Sequence, residues 1–228
     1  MLIHMQPAST TRQTRPVSIP IGAQASLAGD LAVPPTPRGL VIFGHPDATE
    51  RLTAGTRLLA DALDQRDIAT VVVDLLTEAE EAIDQRTGKL RFDMALLATR
   101  LTTICSWAQR LAALRGLPVG LLCGHTAAGA ALVAAAQQPR ALRTVVSFSG
   151  RADLAGSALR RVMMPTLFIV GGRDAQTAAL TSRAVHEMHN DARVEVVPDA
   201  QHAFGEPGAL YQVGRLSSDW FAERLERP

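Results

Sequence analysis

The sequence lacks any dense run of lysine or arginine and any hydrophobic stretch long enough to span a membrane. Its 228 residues carry a formal net charge of +1, so the chain offers nucleic acid and anionic membranes no electrostatic attraction. Hydrophobic residues make up 47% and charged residues 20%, as in an ordinary globular protein. The chain is long enough to bury a sizeable core. These features predict a globular protein, and we expect its partner to be a small-molecule substrate and neither nucleic acid nor a membrane.

Cysteine is also scarce, since the sequence has only Cys105 and Cys123. Both lie inside apolar runs, and neither belongs to a metal-ligand spacing. We therefore predict buried free thiols, no disulfide framework and no metal site. Free thiols are typical of a reducing compartment, so we expect the protein in the cytoplasm. No pattern in the sequence indicates an organic cofactor.

The first sixteen residues lack the apolar core of a secretory signal. We predict a flexible leader over residues 1–16, in which His4-Met5 is consistent with a cloning remnant. Residues 17–228 are predicted to form a single domain.

Short apolar runs alternate with stretches of helical periodicity along the rest of the chain. In one such stretch, Leu97, Leu101 and Ile104 recur at steps of three and four residues and predict the buried face of a helix. The alternation predicts an α/β fold with a mostly parallel sheet of about eight strands, covered by helices on both faces, whose first two strands are antiparallel. The runs predicted to form strands are VSIPI (17–21), SLAGDLAVP (26–34), GLVIFGH (39–45), ATVVVDLL (69–76), VGLLCGH (119–125), RTVVSFSG (143–150), TLFIVGGRD (166–174) and ARVEVVPDA (192–200).

Residues 77–92, TEAEEAIDQRTGKLRF, interrupt this alternation because they are polar and poorly periodic. They are long for a connection between a strand and a helix. We interpret them as a loop over the ligand-binding rim of the sheet, either a lid or a solvated excursion.

The stretch VGLLCGHTAAGAAL (119–132) predicts a buried strand that turns sharply into a helix. A hydrolase elbow has the pattern G-x-S-x-G, and counting from Gly124 places Thr126 third and Ala128 fifth. Such a turn exposes one hydroxyl and offers the next backbone N–H, here that of Ala127, to an oxyanion. Small residues around Thr126 suit the close approach of helix and strand, although a plain tight turn would need them too.

Two further residues follow Thr126 in the chain order of a hydrolase triad. Asp174 ends the run IVGGRD, and His202 lies in the loop after the last predicted strand. A hydroxyl needs an imidazole to accept its proton, and the imidazole needs a carboxylate to fix its tautomer. We therefore predict a triad of Thr126, Asp174 and His202.

The chain resembles the α/β-hydrolase superfamily, and within it the dienelactone-hydrolase-like branch, over most of residues 39–221. The resemblance is closest to small bacterial hydrolases, some of them fused to phosphoribosyltransferase domains. It implies the α/β-hydrolase fold and a Ser-Asp-His triad, carried over onto Thr126, Asp174 and His202. The stretches that carry it are GLVIFGH (39–45), VVVDLLTEAEEAIDQRTGKLRFD (71–93), RGLPVGLLCG (115–124), RADLAGSAL (151–159), PTLFIVGGRD (165–174) and HAFGEPGAL (202–210).

The sequence departs from that family at the site itself. Thr126 stands for the serine and Ala128 for a glycine, and a β-branched residue suits a strained elbow poorly. The loop after the third strand has Pro46, which lacks an N–H, where relatives have glycine. The N–H of Asp47 is the remaining candidate for the second oxyanion donor, unless Asp47 caps the following helix instead.

Four more polar residues are candidates for the substrate pocket: His45, Asp74, Arg91 and Ser149. We expect His45 to orient its loop through hydrogen bonds. Asp74 and Arg91 either pair with each other or bind a substrate carboxylate. Ser149 lacks an elbow and is not predicted to be a nucleophile.

Three functions remain open from the sequence. The first is hydrolysis of an ester or related acyl bond by the predicted triad. The second is a binding or scaffolding role on a catalytically impaired hydrolase fold, and the third is a lyase or isomerase step with His202 as base. Self-association into a homodimer is an expectation that the sequence leaves open.

Overall fold

A computed structural model describes residues 14–46 and 48–226, which form an eight-stranded sheet. The sheet order is β1-β2-β4-β3-β5-β6-β7-β8. β2 pairs antiparallel with both β1 and β4, and all other pairs are parallel. The predicted α/β fold with about eight strands, the first two antiparallel, is confirmed. The strands are β1 Thr14–Pro20, β2 Ser26–Ala32, β3 Gly39–His45, β4 Ile68–Asp74, β5 Val119–Gly124, β6 Leu142–Gly150, β7 Thr166–Gly171 and β8 Ala192–Val197.

Helices cover both faces of this sheet and enclose two apolar clusters. One cluster packs α4 and α5 against the sheet, and the other packs α2 and α7 against the opposite face. Leu97, Leu101 and Ile104 are fully buried in the first cluster, as their spacing predicted. The helices are α1 Ala48–Arg51, α2 Ala54–Asp64, α3 Glu78–Thr87, α4 Met94–Arg110, α5 His125–Gln137, α6 Ala175–Glu187 and α7 Ala209–Arg224.

The predicted loop at 77–92 is wrong, because most of it is the helix α3 followed by a 3-10 turn, Leu90–Phe92. Thr77 and Glu80 form a capping box: the N–H of Glu80 donates to Thr77 Oγ1 at 3.2 Å, and the N–H of Thr77 donates to Glu80 Oε2 at 2.9 Å. Asp84 is buried and accepts hydrogen bonds from the N–H groups of Leu90 and Arg91 at 2.6 and 3.1 Å. Buried polar anchors of this kind carry no hydrophobic periodicity, which is why the pattern suggested a loop.

Both cysteines are free and buried, as predicted, and burial raises the pKa of each thiol to about 12. Residues 14–16 of the expected leader belong to β1, while residues 1–13 lie outside the described part of the chain. Across the described residues, no helix has both the length and the apolar character needed to cross a bilayer.

Candidate active site

The strand β5 ends in a sharp turn into α5, and the residue at that turn is His125. Its φ is 48°, in the left-handed region that side-chain-bearing residues rarely adopt. Gly124 precedes it, and a Cβ on Gly124 would lie 2.9 Å from the ring of Phe148. The elbow pattern therefore runs one residue earlier than predicted, from Cys123, and places His125 third.

Thr126 does not occupy the elbow position expected of it, because it lies inside the first turn of α5. The residue is 7% exposed, and its Oγ1 is buried without a hydrogen-bond partner among the described residues. Ala127, the expected oxyanion donor, follows it in the same turn and is fully buried. The backbone explains the shift, because histidine is enriched at positive φ whereas a β-branched threonine is strongly disfavoured there.

Asp174 and His202 lie in contact at the carboxyl ends of β7 and β8. Oδ2 of Asp174 lies 2.7 Å from Nδ1 of His202. The other carboxylate oxygen caps α6 by accepting a hydrogen bond from the N–H of Thr177 at 3.0 Å. Burial raises the pKa of Asp174, but hydrogen bonds from Thr177 and His202 outweigh it, so the net pKa is lowered. Asp174 is thus held as a carboxylate beside the imidazole.

His125 connects this pair to a second carboxylate. Nε2 of His202 lies 3.2 Å from Nδ1 of His125. Nε2 of His125 lies 3.2 Å from Oε1 of Glu50, and Oε2 of Glu50 lies 3.3 Å from Nδ1 of His45. Hydrogen bonds with His125 and then His45 hold the pKa of Glu50 well below its usual range, although burial opposes this. A continuous chain of polar groups therefore runs from Asp174 to His45.

A cavity of about 350 Å³ opens beside the two histidines. Phe92 and Leu180 supply apolar wall, and Arg151 is bound to Asp153 by two hydrogen bonds of 2.8 and 2.7 Å. The cavity is large enough for a small acyl compound. Its lining residues are Phe92, His125, Thr126, Arg151, Asp174, Gln176, Thr177, Leu180 and His202.

The expected pairing of Asp74 with Arg91 is wrong. Asp74 binds Arg51 at 2.7 Å, and burial raises its pKa despite that cation. Arg91 instead binds Asp84 on α3. Neither Asp74 nor Arg91 lines the cavity, because each is held by a partner elsewhere.

The other pocket candidates have different places in the structure. His45 is 3% exposed and contacts Glu50 instead of the cavity. Ser149 is 1% exposed, and its hydroxyl donates a hydrogen bond to the backbone oxygen of His202. Ser149 therefore holds the backbone of the loop that carries His202 in place. Asp47, the other expected oxyanion donor, lies outside the described residues.

No group of three or more His, Cys, Asp or Glu side chains is arranged to hold a metal ion in the part of the chain that the structure describes. Sequence reasoning missed two residues of the site, His125 and Glu50. The positive φ at the elbow could have favoured His125 over Thr126. Glu50 carries no local signal, because its contact with His125 joins residues far apart in the chain.

Comparison with known proteins assigns the chain to a family. The sequence model of the dienelactone hydrolase family matches residues 58–220. The crystal structure of a dienelactone hydrolase from Anabaena variabilis is 42% identical and superposes with a TM-score of 0.90, covering 94% of this chain and 99% of that one. Est1E from Butyrivibrio proteoclasticus shares the fold with a TM-score of 0.76 at 12% identity, over 92% of this chain and 98% of that one.

A curated relative from Mycobacterium tuberculosis, provisionally named a phosphoribosyl transferase, is 42% identical over 208 residues. The match covers 91% of this chain and 46% of that protein. The chain therefore spans about half the length of the curated relatives it matches.

Proposed function

The chain belongs to the dienelactone hydrolase family, and from that premise we propose that it hydrolyses activated acyl bonds, esters above all, with His125 as the nucleophile. The observation that carries the proposal is the place of His125: its φ is 48°, and its Nδ1 lies 3.2 Å from Nε2 of His202. Asp174 holds the far side of His202 at 2.7 Å. This order matches a nucleophile, a base and an orienting carboxylate.

The proposed mechanism uses a state in which the chain of polar groups from Asp174 to Glu50 holds three protons. Three contacts make up this chain of polar groups: Asp174 with His202, His202 with His125, and His125 with Glu50. In the proposed state each contact holds one proton, whereas two neutral imidazoles together carry only two. The third proton is shared between the rings. When that proton is bound to His202, Nδ1 of His125 carries the lone pair that attacks a carbonyl carbon in the cavity.

Acylation begins when this lone pair attacks the carbonyl carbon and the bond to the leaving oxygen breaks. His202 donates its Nε2 proton to the departing oxygen. Glu50, 3.2 Å from Nε2 of His125, balances the positive charge of the acylated ring. Water then gives a proton to His202 and its oxygen to the acyl group, which releases the acid. The water proton restores the shared proton, so the net reaction is ester and water to acid and alcohol.

The first turn of α5 supplies the oxyanion donor in this proposal. N–H groups in the first turn of a helix have no partner within it, and the helix dipole favours negative charge there. Because His125 is the elbow residue, the donor that follows the nucleophile is the N–H of Thr126 and not that of Ala127.

The nucleophile restricts the substrate class. Imidazole, whose conjugate acid has a pKa of about 6.5, leaves a tetrahedral intermediate far more readily than an alkoxide, whose conjugate acid lies near the value of about 15.7 for water. Acyl transfer to His125 succeeds when the competing leaving group is a phenol, an enol or a thiol, with pKa values of about 8–10. Aryl esters, enol esters and thioesters are therefore the proposed substrates.

A series of acetate esters with graded leaving groups tests this proposal. We expect kcat/KM to fall roughly tenfold for each two units of leaving-group pKa, with no measurable turnover of ethyl acetate. His125→Ala is the control and should remove turnover of the aryl esters. Equal rates for aryl and alkyl esters would show that a different nucleophile acts.

Glu50 is expected to act as a positioning residue for His125. Replacing it by Gln keeps the size and a hydrogen bond but removes the charge that balances the acylated ring. A hydrogen bond to a charged group contributes about 1.5–3 kcal/mol, so kcat for an aryl acetate should fall about tenfold to a hundredfold with little change in KM. Glu223→Gln, at an exposed position on α7, is the matched control and should leave kcat unchanged.

Unfolding experiments separate this charge effect from a loss of structure. The pKa of Glu50 is depressed in the folded protein, so its contribution to stability is present in full above the unfolded value of about 4.3 and is lost as the pH falls. The stability difference between wild type and Glu50→Gln should therefore be constant above about pH 6 and shrink towards pH 3. A difference independent of pH would indicate that the Glu50 charge has no role.

A non-catalytic binding role is the second candidate. It is favoured by one observation, the engagement of both ring nitrogens of His125 by Glu50 and His202. A network locked in this way would bind a ligand in the cavity without turnover. Absence of turnover across the whole ester series, together with retained binding of an aryl carboxylate, would support this role.

A further inference from the structure

The strand β8 forms one edge of the sheet and pairs only with β7 among the described residues. The pairing runs without a bulge from Ala192 to Val197. Proteins usually protect such edges with proline, a bulge, an inward charge or a covering segment. This strand contains no proline, and Arg193 to Val196 are exposed. No strand among residues 14–46 and 48–226 pairs with the outer backbone groups of β8, which leaves them available to another strand.

The two faces of this edge differ in character. Arg193 stacks over the ring of Trp220 on α7, 5.4 Å from its centroid. Val194 and Val196 point to the other face, because side chains alternate along a strand, and they are 42% and 53% exposed. A strand that pairs with β8 would extend an apolar strip on one face and meet charges on the other.

We propose that β8 pairs antiparallel with β8 of a second copy of this chain, about a two-fold axis that lies between the two copies of Val194. In an antiparallel pair, a residue whose backbone groups point towards the partner strand lies opposite another such residue. The two-fold axis therefore lies between two copies of the same residue, which face each other. This proposal rests on the sheet edge alone and does not depend on the proposed hydrolase activity.

The charges select which residue lies on the axis. With the axis between the two copies of Val194, Arg193 of each copy faces Glu195 of the other, and the two copies of Val194 face each other. An axis through Arg193 or Glu195 would instead place two like charges opposite each other, which destabilises a pair. The ion pair of Arg193 with Asp191, 3.2 Å long, is exposed and weak enough to allow the new contact.

Sedimentation equilibrium of the full chain at graded concentrations and low salt tests this proposal. Wild type should form a reversible dimer. Arg193→Glu and Glu195→Arg should each weaken it on the order of tenfold, because each places like charges opposite each other. The double variant should return to wild-type affinity. Arg140→Glu, an exposed charge reversal away from the edge, is the control and should have no effect.

Mixing the two single variants gives a sharper result. One copy then carries two acidic residues on β8 and the other two basic ones, so a mixed dimer should form more tightly than either single variant with itself. A monomer at all concentrations would overturn the proposal. So would a dimer whose affinity is the same in all the variants, because its interface would lie elsewhere.

Discussion

Replacing His125 by serine is expected to convert the site into an ordinary serine hydrolase. The introduced hydroxyl would stand at the elbow with His202 and Asp174 already aligned behind it. A serine alkoxide can displace the alkoxide of an alkyl ester, whereas imidazole cannot. The reason is that the conjugate acid of the serine alkoxide has a pKa similar to that of the leaving alcohol. His125→Ser should therefore hydrolyse simple alkyl esters at a rate about 10²-fold or more above the detection limit that wild type does not reach, and a fluorophosphonate probe should label the variant.

Thr126→Ser is the matched control for this experiment. It changes the hydroxyl inside the first turn of α5, where Oγ1 is buried, and should bring neither alkyl ester turnover nor labelling. His125→Cys provides a second variant, whose thiol should acylate rapidly with aryl esters. Labelling of wild type at Thr126 would show that the elbow assignment is incorrect.

Removing the imidazole of His202 is expected to have the next largest effect. His202→Ala removes the acceptor of the shared proton and the acid that protonates the leaving group. General acid–base groups contribute about 10²–10⁴-fold, and kcat/KM for an aryl acetate should fall by about 10³-fold. Asp174 would also lose the imidazole that stabilises its carboxylate.

His189→Ala serves as the control for His202→Ala, since His189 is exposed after α6 and should leave the rate unchanged. Added imidazole should restore part of the lost activity by occupying the vacated space. If His202→Ala retains more than a tenth of the activity, His202 is not the general base.

The strands and their order along the chain could be predicted because buried parallel strands are apolar runs with clear ends. α3 could not, since Glu81 and Asp84 are buried and the helix depends on a capping box instead of an apolar stripe. Local patterns therefore failed where polar side chains, and not hydrophobic ones, hold a segment in place.

Asp174 and His202 could be placed from chain order alone, because each follows a strand at the same edge of the sheet. The elbow was displaced by one residue, since the sequence pattern favoured a hydroxyl while the backbone requires a residue that tolerates positive φ. The role of Glu50 could not be predicted from local sequence patterns. Its contact with His125 depends on how the segment after β3 packs over the elbow, and periodicity gives no information on that packing.

The most direct test of the central claim is the identity of the acylated residue. An aryl dimethylcarbamate transfers a carbamoyl group that hydrolyses slowly, so the modified residue can be located by peptide mass spectrometry. We predict release of phenol in proportion to enzyme and a carbamoyl group on His125, both absent from His125→Ala. A carbamoyl group on Thr126, or turnover of aryl acetates with no modification of His125 by the carbamate, would contradict the assignment of His125 as the nucleophile.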